Sequence, residues 1–284
     1  MPTFLTPDGL RLAYHESGDG RPLICLPGGP MQSAAYLGDL GGLAAHRALI
    51  GLDLRGTGES AAPQDTASYR CDRQVGDVEA LREHLGLDRI DLLAHSGAAN
   101  LAILYAARHP DRVSRLLLIT PSVYAVGLGI TAEDRLATAR LRHGEPWFAP
   151  AYAALEAVTA GRGTADSWQA VAPFFHGRWD EEARAFDAAG EKQKNHEAAA
   201  VYTAEGAFAP TATRQILAAF PSPVLLLAGE ADVSGPPCVM REFAELFPKT
   251  ELVVQPGAGH FPWRDDPERF VTTVKGFMDG GLPA

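Results

Sequence analysis

A serine, an acid and a histidine, each just past an apolar run, are the side chains of this 284-residue sequence best placed for covalent chemistry. Ser96 stands in LLAHSGAANLAILYAARHP (92–110), between an apolar run and a helical pattern. Two readings fit a serine there. It can cap the following helix, since Ser is a favoured N-cap. It can also be a nucleophile at a strand-to-helix elbow, which needs small residues two before and two after it. Ala94 and Ala98 fill those positions.

A serine hydroxyl is a weak nucleophile without an adjacent base, so a histidine is needed. Of the nine histidines, His95 neighbours Ser96 but its side chain should point the other way along a strand. His84 and His109 fall at helix ends, where capping or surface roles suffice. His260, in VVQPGAGHFPW, follows a strand in a glycine-rich loop, at the edge where open parallel sheets bind ligands. An ordinary loop histidine is the alternative. The imidazole needs a carboxylate to hold its tautomer. LLLAGEADVSGPP (225–237) offers Glu230 and Asp232. Asp232 is preferred, because Glu230 comes too soon after the strand to reach across. The developing oxyanion needs backbone N–H donors. Gly97 supplies one, directly after the nucleophile, and Gly29 of PGGP (27–30) the other. A plain Gly-Pro turn is the competing account of that loop. DLRGTGESA (53–61) formally matches a dinucleotide fingerprint at Gly56, Gly58 and Ala61, but no helix follows, so that context fails. Asp53, Arg55 and Ser60 there read as local loop architecture.

These residues need a frame. Apolar or alternating runs at 3–6, 10–17, 22–27, 47–54, 89–95, 113–120, 222–229 and 250–256 read as about eight strands. Helical patterns at 72–86, 97–110, 236–247 and 267–279 alternate with them. Such alternation predicts an α/β fold with a mostly parallel sheet flanked by helices. Residues 123–212 break the rhythm: they look helical and hold no buried-strand pattern. They are expected to form a helical lid inserted into a core of residues 1–122 and 213–284.

Composition narrows the partners. The chain is 46% hydrophobic, enough for one large core. Its 25 basic and 35 acidic side chains give a formal charge of −10, which disfavours nucleic acid and anionic membranes. Three scattered cysteines, Cys25, Cys71 and Cys238, form no disulfide framework and no zinc spacing, which suits a reducing cytoplasm. No basic-then-apolar leader and no run of roughly 18 apolar residues is seen. A small molecule or short peptide is the expected substrate, with no metal or organic cofactor required.

The pieces LPGGP, DLRGTGES, AHSGAANLAILYAARHP, LAGEADVSGPP and GAGHFPW occur in the order serine, acid, histidine. Over nearly its full length the sequence resembles the α/β-hydrolase superfamily. Gly28-Gly29-Pro30 and DLRGTGES look most like its prolyl aminopeptidase (proline iminopeptidase) branch. That resemblance implies release of an N-terminal aminoacyl group through a Ser96–Asp232–His260 triad, with lid carboxylates binding the free amine. Related enzymes remove protecting aminoacyl groups in antibiotic biosynthesis. The branch usually has His where Pro27 stands, Gly at Met31 and Trp at Gly97, and these departures argue against strict proline specificity.

In the lid, NHEAAAVYTAEGAF (195–208) resembles the segment carrying amine-binding glutamates, which makes Glu197 and Glu205 the candidates. A solvated helix face is the plainer reading of both. Phe174, Phe175, Trp168, Trp179, Tyr202 and Phe208 are expected in the core or the pocket. The preferred reading is a serine hydrolase acting as an aminopeptidase or amidohydrolase; the alternatives are a carboxylesterase or lactonase with a neutral pocket, and a ligand-binding or lyase protein on the same fold.

Overall fold

Eight strands lie side by side in one sheet in the computed structural model, which describes residues 1–280. They are β1 (Thr3–Leu5), β2 (Arg11–Ser17), β3 (Pro22–Leu26), β4 (Ala48–Leu52), β5 (Ile90–His95), β6 (Val113–Ile119), β7 (Val224–Gly229) and β8 (Thr250–Gln255). Their spatial order is β1-β2-β4-β3-β5-β6-β7-β8. β1 pairs antiparallel with β2, and β2 antiparallel with β4. Every pairing from β4 to β8 is parallel. All eight expected strands are present, most shortened by a residue or two at the ends.

The central strands are apolar throughout because both faces are covered. β5 and β7 are buried at every position. Alternate residues serve opposite faces. Leu92, Leu116, Leu118 and Leu226 pack with one layer, which includes Val78 and Leu81 of α1 (Val75–His84), Leu101 and Tyr105 of α2 (Ala98–Arg108) and Phe243 of a later helix. Leu93, Leu117, Leu225 and Leu227 pack with the other, which includes Trp263, Phe270, Val274 and Phe277. Full burial of each such side chain contributes roughly 1.5–3 kcal/mol. The helical pattern at 72–86 divides into a 3-10 turn, Cys71–Arg73, and α1.

Between β6 and β7 the chain is helical: α3 (Ala132–Ala139), α4 (Phe148–Thr159), α5 (Ala165–Ala170), α6 (Glu181–Lys192), α7 (His196–Tyr202) and α8 (Pro210–Leu217). Ala139, Ala151, Leu155, Val171 and Phe174 bury one another in this segment, together with Val233 from the loop after β7. α9 (Pro237–Ala244), α10 (Pro262–Asp265) and α11 (Pro267–Met278) follow β7 and β8. No helix among the described residues is long and apolar enough to cross a membrane.

The order in which strands join the sheet reverses at β3, whose neighbours are β4 on one side and β5 on the other, both parallel to it. Such a switch point opens a crevice at the carboxyl ends of the strands. The loop after β3 and the turn after β5 flank it.

Candidate active site

Ser96 follows the last residue of β5 and precedes α2. Its φ is +53°, in the left-handed region, which costs a non-glycine residue on the order of 1–2 kcal/mol. Hydrogen bonds on both sides hold that turn. Ser96 N–H donates to the Ile119 carbonyl (3.0 Å), and the Ser96 carbonyl accepts from Ala99 N–H and Ser122 N–H (3.0 Å each). Ala94 and Ala98, two residues before and two after it, are both buried. The Ser96 hydroxyl does not cap the helix: the N-cap is Gly97, with no side-chain capping bond.

Instead the Ser96 Oγ lies 2.8 Å from His260 Nε2, and His260 Nδ1 lies 2.9 Å from Asp232 Oδ2. A carboxylate only accepts, so the proton between His260 and Asp232 sits on Nδ1. That leaves Nε2 free to accept from the serine hydroxyl. Asp232 is fully buried and its Oδ1 accepts from Ser234 N–H (2.8 Å). Glu230 is not part of this chain of bonds. It is exposed, and its carboxylate accepts from Gly257 N–H (2.8 Å).

The loop after β3 lies against the elbow. A Cβ on Gly28 would sit 2.8 Å from both the His95 carbonyl oxygen and Ser96 Cβ, so only glycine permits this approach. Gly29 has φ +115°, a conformation that side chains rarely adopt. The Gly28 carbonyl accepts from Gln32 N–H (3.1 Å), which fixes the Gly28–Gly29 peptide plane. The bonds to the Ser96 carbonyl fix the Ser96–Gly97 plane in the same way. Gly29 N–H and Gly97 N–H donate to no acceptor among the described residues. Both donors are therefore available to a developing negative charge.

The helical segment grips the site through its backbone. The Phe175 carbonyl accepts from His260 N–H (2.8 Å). The Asp265 carboxylate accepts from Gly177 N–H (2.9 Å) and Gly259 N–H (2.8 Å), and burial raises its pKa. At the other loop, Asn195 N–H donates to the Met31 carbonyl (2.9 Å) and Ser33 N–H to the Gln193 carbonyl (3.1 Å). Asn195 Nδ2 donates to the Gly56 carbonyl (2.8 Å). No local sequence signal announces these contacts, because they join segments far apart in the chain.

Glu197 and Glu205 are not drawn into a water-poor pocket. Both are exposed. α7 turns Ala198 and Tyr202, one helical turn apart, into the core, and this leaves Glu197 on another side of the helix. Glu205 lies in the turn beyond, where its backbone carbonyl accepts from Arg70 (3.2 Å). Of the aromatic residues, Phe174 and Tyr202 are buried, while Phe175, Trp179 and Phe208 are half-buried. Trp168 departs from expectation and is 57% exposed, because the short helix α5 buries none of its residues.

Asp53, Arg55 and Ser60 do build local architecture. Asp53 accepts from Ser33 Oγ (3.0 Å), Ala34 N–H (2.7 Å) and Glu59 N–H (3.0 Å). Arg55 pairs with buried Asp77 (2.8 Å), and Ser60 Oγ donates to the Asp53 carbonyl (2.6 Å). His84 and His109 lie in the last turn of α1 and at the C-cap of α2.

Comparison with known proteins places the chain in a family. The alpha/beta hydrolase fold family matches residues 21–267. A proline iminopeptidase of Heyndrickxia coagulans is 37% identical over 112 residues, covering 39% of this chain and 39% of that protein. The match thus spans about two fifths of that relative's length. A proposed 2-succinyl-6-hydroxy-2,4-cyclohexadiene-1-carboxylate synthase of Bacillus subtilis is 29% identical over 284 residues, covering 95% and 96% of the two chains. The esterase RhEst1 of Rhodococcus sp. superposes with a TM-score of 0.73 at 25% identity, covering 98% of each chain. With its elbow serine, its sheet order and a family match running from β3 to α11, this chain belongs to the α/β-hydrolase fold family.

Proposed function

We propose that the protein is a serine hydrolase that works through an acyl-enzyme. The observation that carries the reading is the unbroken relay from Ser96 Oγ through His260 to Asp232, at 2.8 and 2.9 Å. Ser96 attacks a carbonyl carbon while His260 Nε2 takes its proton. Asp232 stabilises the imidazolium that forms. The oxyanion accepts from Gly29 N–H and Gly97 N–H, each contributing on the order of 3 kcal/mol. Nε2–H then protonates the leaving group. Water, deprotonated by the same imidazole, releases the acid. The helical segment 123–212 acts as a lid over this crevice.

The substrate we assign is an ester of a small uncharged acid. The half-buried Phe175 ring lies beside that of His260, with centroids 6.2 Å apart. That ring suits an apolar acyl or alkyl group, and the exposed Glu197 and Glu205 offer no enclosed site for an ammonium. A second reading, hydrolysis of aminoacyl amides, is favoured by the iminopeptidase match.

Hydrolysis of p-nitrophenyl acetate and butyrate, against aminoacyl p-nitroanilides with free and acetylated amines, separates the two. Ester cleavage lost in Ser96→Ala and unchanged in Glu197→Gln/Glu205→Gln supports the ester reading. Anilide cleavage that needs a free amine and falls in the glutamate variant supports the second. Full ester turnover in Ser96→Ala overturns both.

A further inference from the structure

Behind the elbow lies a second chain of hydrogen bonds that the hydrolytic scheme does not use. His95 is 1% exposed and points away from Ser96, since neighbouring residues on a strand face opposite sides. Its Nε2 lies 2.9 Å from the carbonyl oxygen of His260, and its Nδ1 lies 2.6 Å from the Tyr36 hydroxyl. Gly28 N–H donates to that same hydroxyl at 2.7 Å. Thr120 Oγ1 donates to the His260 carbonyl as well, at 2.9 Å.

Only one proton arrangement satisfies every partner. A carbonyl can only accept, so His95 Nε2 carries a hydrogen. Tyr36 Oη accepts from Gly28, so its own hydrogen is free to go to His95 Nδ1, which accepts only in the neutral imidazole. The direction is therefore Gly28 N–H to Tyr36, Tyr36 O–H to His95, and His95 N–H to the His260 carbonyl. A protonated His95 would donate at both nitrogens and leave the Tyr36 hydrogen without its acceptor. Burial, with His260 nearby, holds the His95 pKa well below its ordinary value, and burial raises that of the Tyr36 phenol.

We propose that Tyr36 and His95 are positioning residues that tie the loop carrying the Gly29 oxyanion donor to the loop carrying His260, and so fix the gap across which the carbonyl reacts. The proposal rests on the reading of Ser96, His260 and Gly29 given above. Two features make the tie effective. Gly28 immediately precedes Gly29, so holding the Gly28 N–H anchors the peptide next to the one that presents the donor. The His95 and His260 ring centroids are 4.9 Å apart, so a neutral His95 adds no like charge when the His260 imidazolium forms.

The test is a double-mutant cycle with Tyr36→Phe and His95→Gln. Phenylalanine keeps the ring and cuts the bond to Gly28. Glutamine keeps a donor at the position of Nε2 and loses the acceptor at Nδ1. Steady-state ester kinetics and affinity for a boronic acid that mimics the tetrahedral adduct are read together with melting temperature. Leu37→Ala, beside Tyr36 in the same core, is the control for mere destabilisation. Each single variant should lower kcat by about 10- to 100-fold with little change in KM, the scale of a displaced catalytic group. Boronate affinity should fall in parallel. The double variant should be no worse than about 3-fold below the poorer single, because the two act as one tie. Variants with kcat and boronate affinity within about 2-fold of wild type overturn the proposal, as does a loss that Leu37→Ala reproduces at equal melting temperature. Ser96→Ala is assayed alongside. If it retains ester turnover, the hydrolase reading fails. If it is inactive while Tyr36→Phe and His95→Gln are unaffected, only the tie fails.

Discussion

Asp232→Asn should remove most of the activity for a reason written in the hydrogen bonds. The Asp232 Oδ1 accepts from Ser234 N–H and Oδ2 faces His260 Nδ1. An asparagine can match only one of these with its oxygen. If the oxygen stays on Ser234 N–H, the amide NH2 faces His260. Nδ1 must then accept, the ring proton moves to Nε2, and the imidazole can no longer take the serine proton. The flipped amide opposes donor to donor at Ser234, which costs roughly 1–3 kcal/mol. A carboxylate about 4 Å from a forming imidazolium also contributes ~4 kcal/mol at an effective dielectric near 20. The two effects sum to about 5–7 kcal/mol, a fall in kcat of roughly 10⁴- to 10⁵-fold. The assay is kcat and kcat/KM on p-nitrophenyl acetate from about pH 6 to about pH 9, with thermal melts to establish folding. Glu230→Gln is the matched control, because Glu230 holds Gly257 and not the imidazole. Asp232→Asn within about tenfold of wild type, or Glu230→Gln as damaging as Asp232→Asn, would refute the reasoning.

Gly28→Ala should lower kcat by about 10²-fold and destabilise the fold by about 1–3 kcal/mol, because its Cβ would press on the backbone of His95 and on Ser96 Cβ; kinetics and urea unfolding check both. Arg55→Met leaves buried Asp77 without its cation and should cost about 3–5 kcal/mol in urea unfolding, with less loss in Arg55→Met/Asp77→Leu. Glu79 predicts an acid effect. Hydrogen bonds from Arg82, aided by Tyr105, lower its carboxyl from the ordinary 4.5 to about 2. Its folded pKa lies below its unfolded one, so its contribution is present above about pH 4.5 and is lost as pH falls from there towards about 2. Melting temperature against pH should therefore fall less steeply across that window in Glu79→Gln than in wild type.

Strand existence and chain order were legible because they rest on local signals. Runs such as PLICLP and SPVLLLAG are apolar at consecutive positions because both faces of a central parallel strand are covered. The position of Ser96 between such a run and a helical stripe located the elbow, with Ala94 and Ala98 supplying the space that a tight turn needs. The direction of His95 followed from strand alternation alone. What alternation could not supply was its partners, since Tyr36 and His260 lie 59 and 165 residues away in the chain.

Glu197, Glu205 and Trp168 mark the other boundary. A carboxylate in NHEAAAVYTAEGAF reads the same whether it faces a pocket or solvent. The choice depends on which helix face meets the core, and in α7 the pair Ala198 and Tyr202 takes that face. Composition and spacing by themselves determined the strands of the sheet, the helical stretch between β6 and β7 and the order of serine, acid and histidine. Tertiary structure decided which donors stay free, which way the 195–208 carboxylates face and what lies behind the elbow. Each of these depends on segments that only folding brings together, and no local pattern encodes such an arrangement.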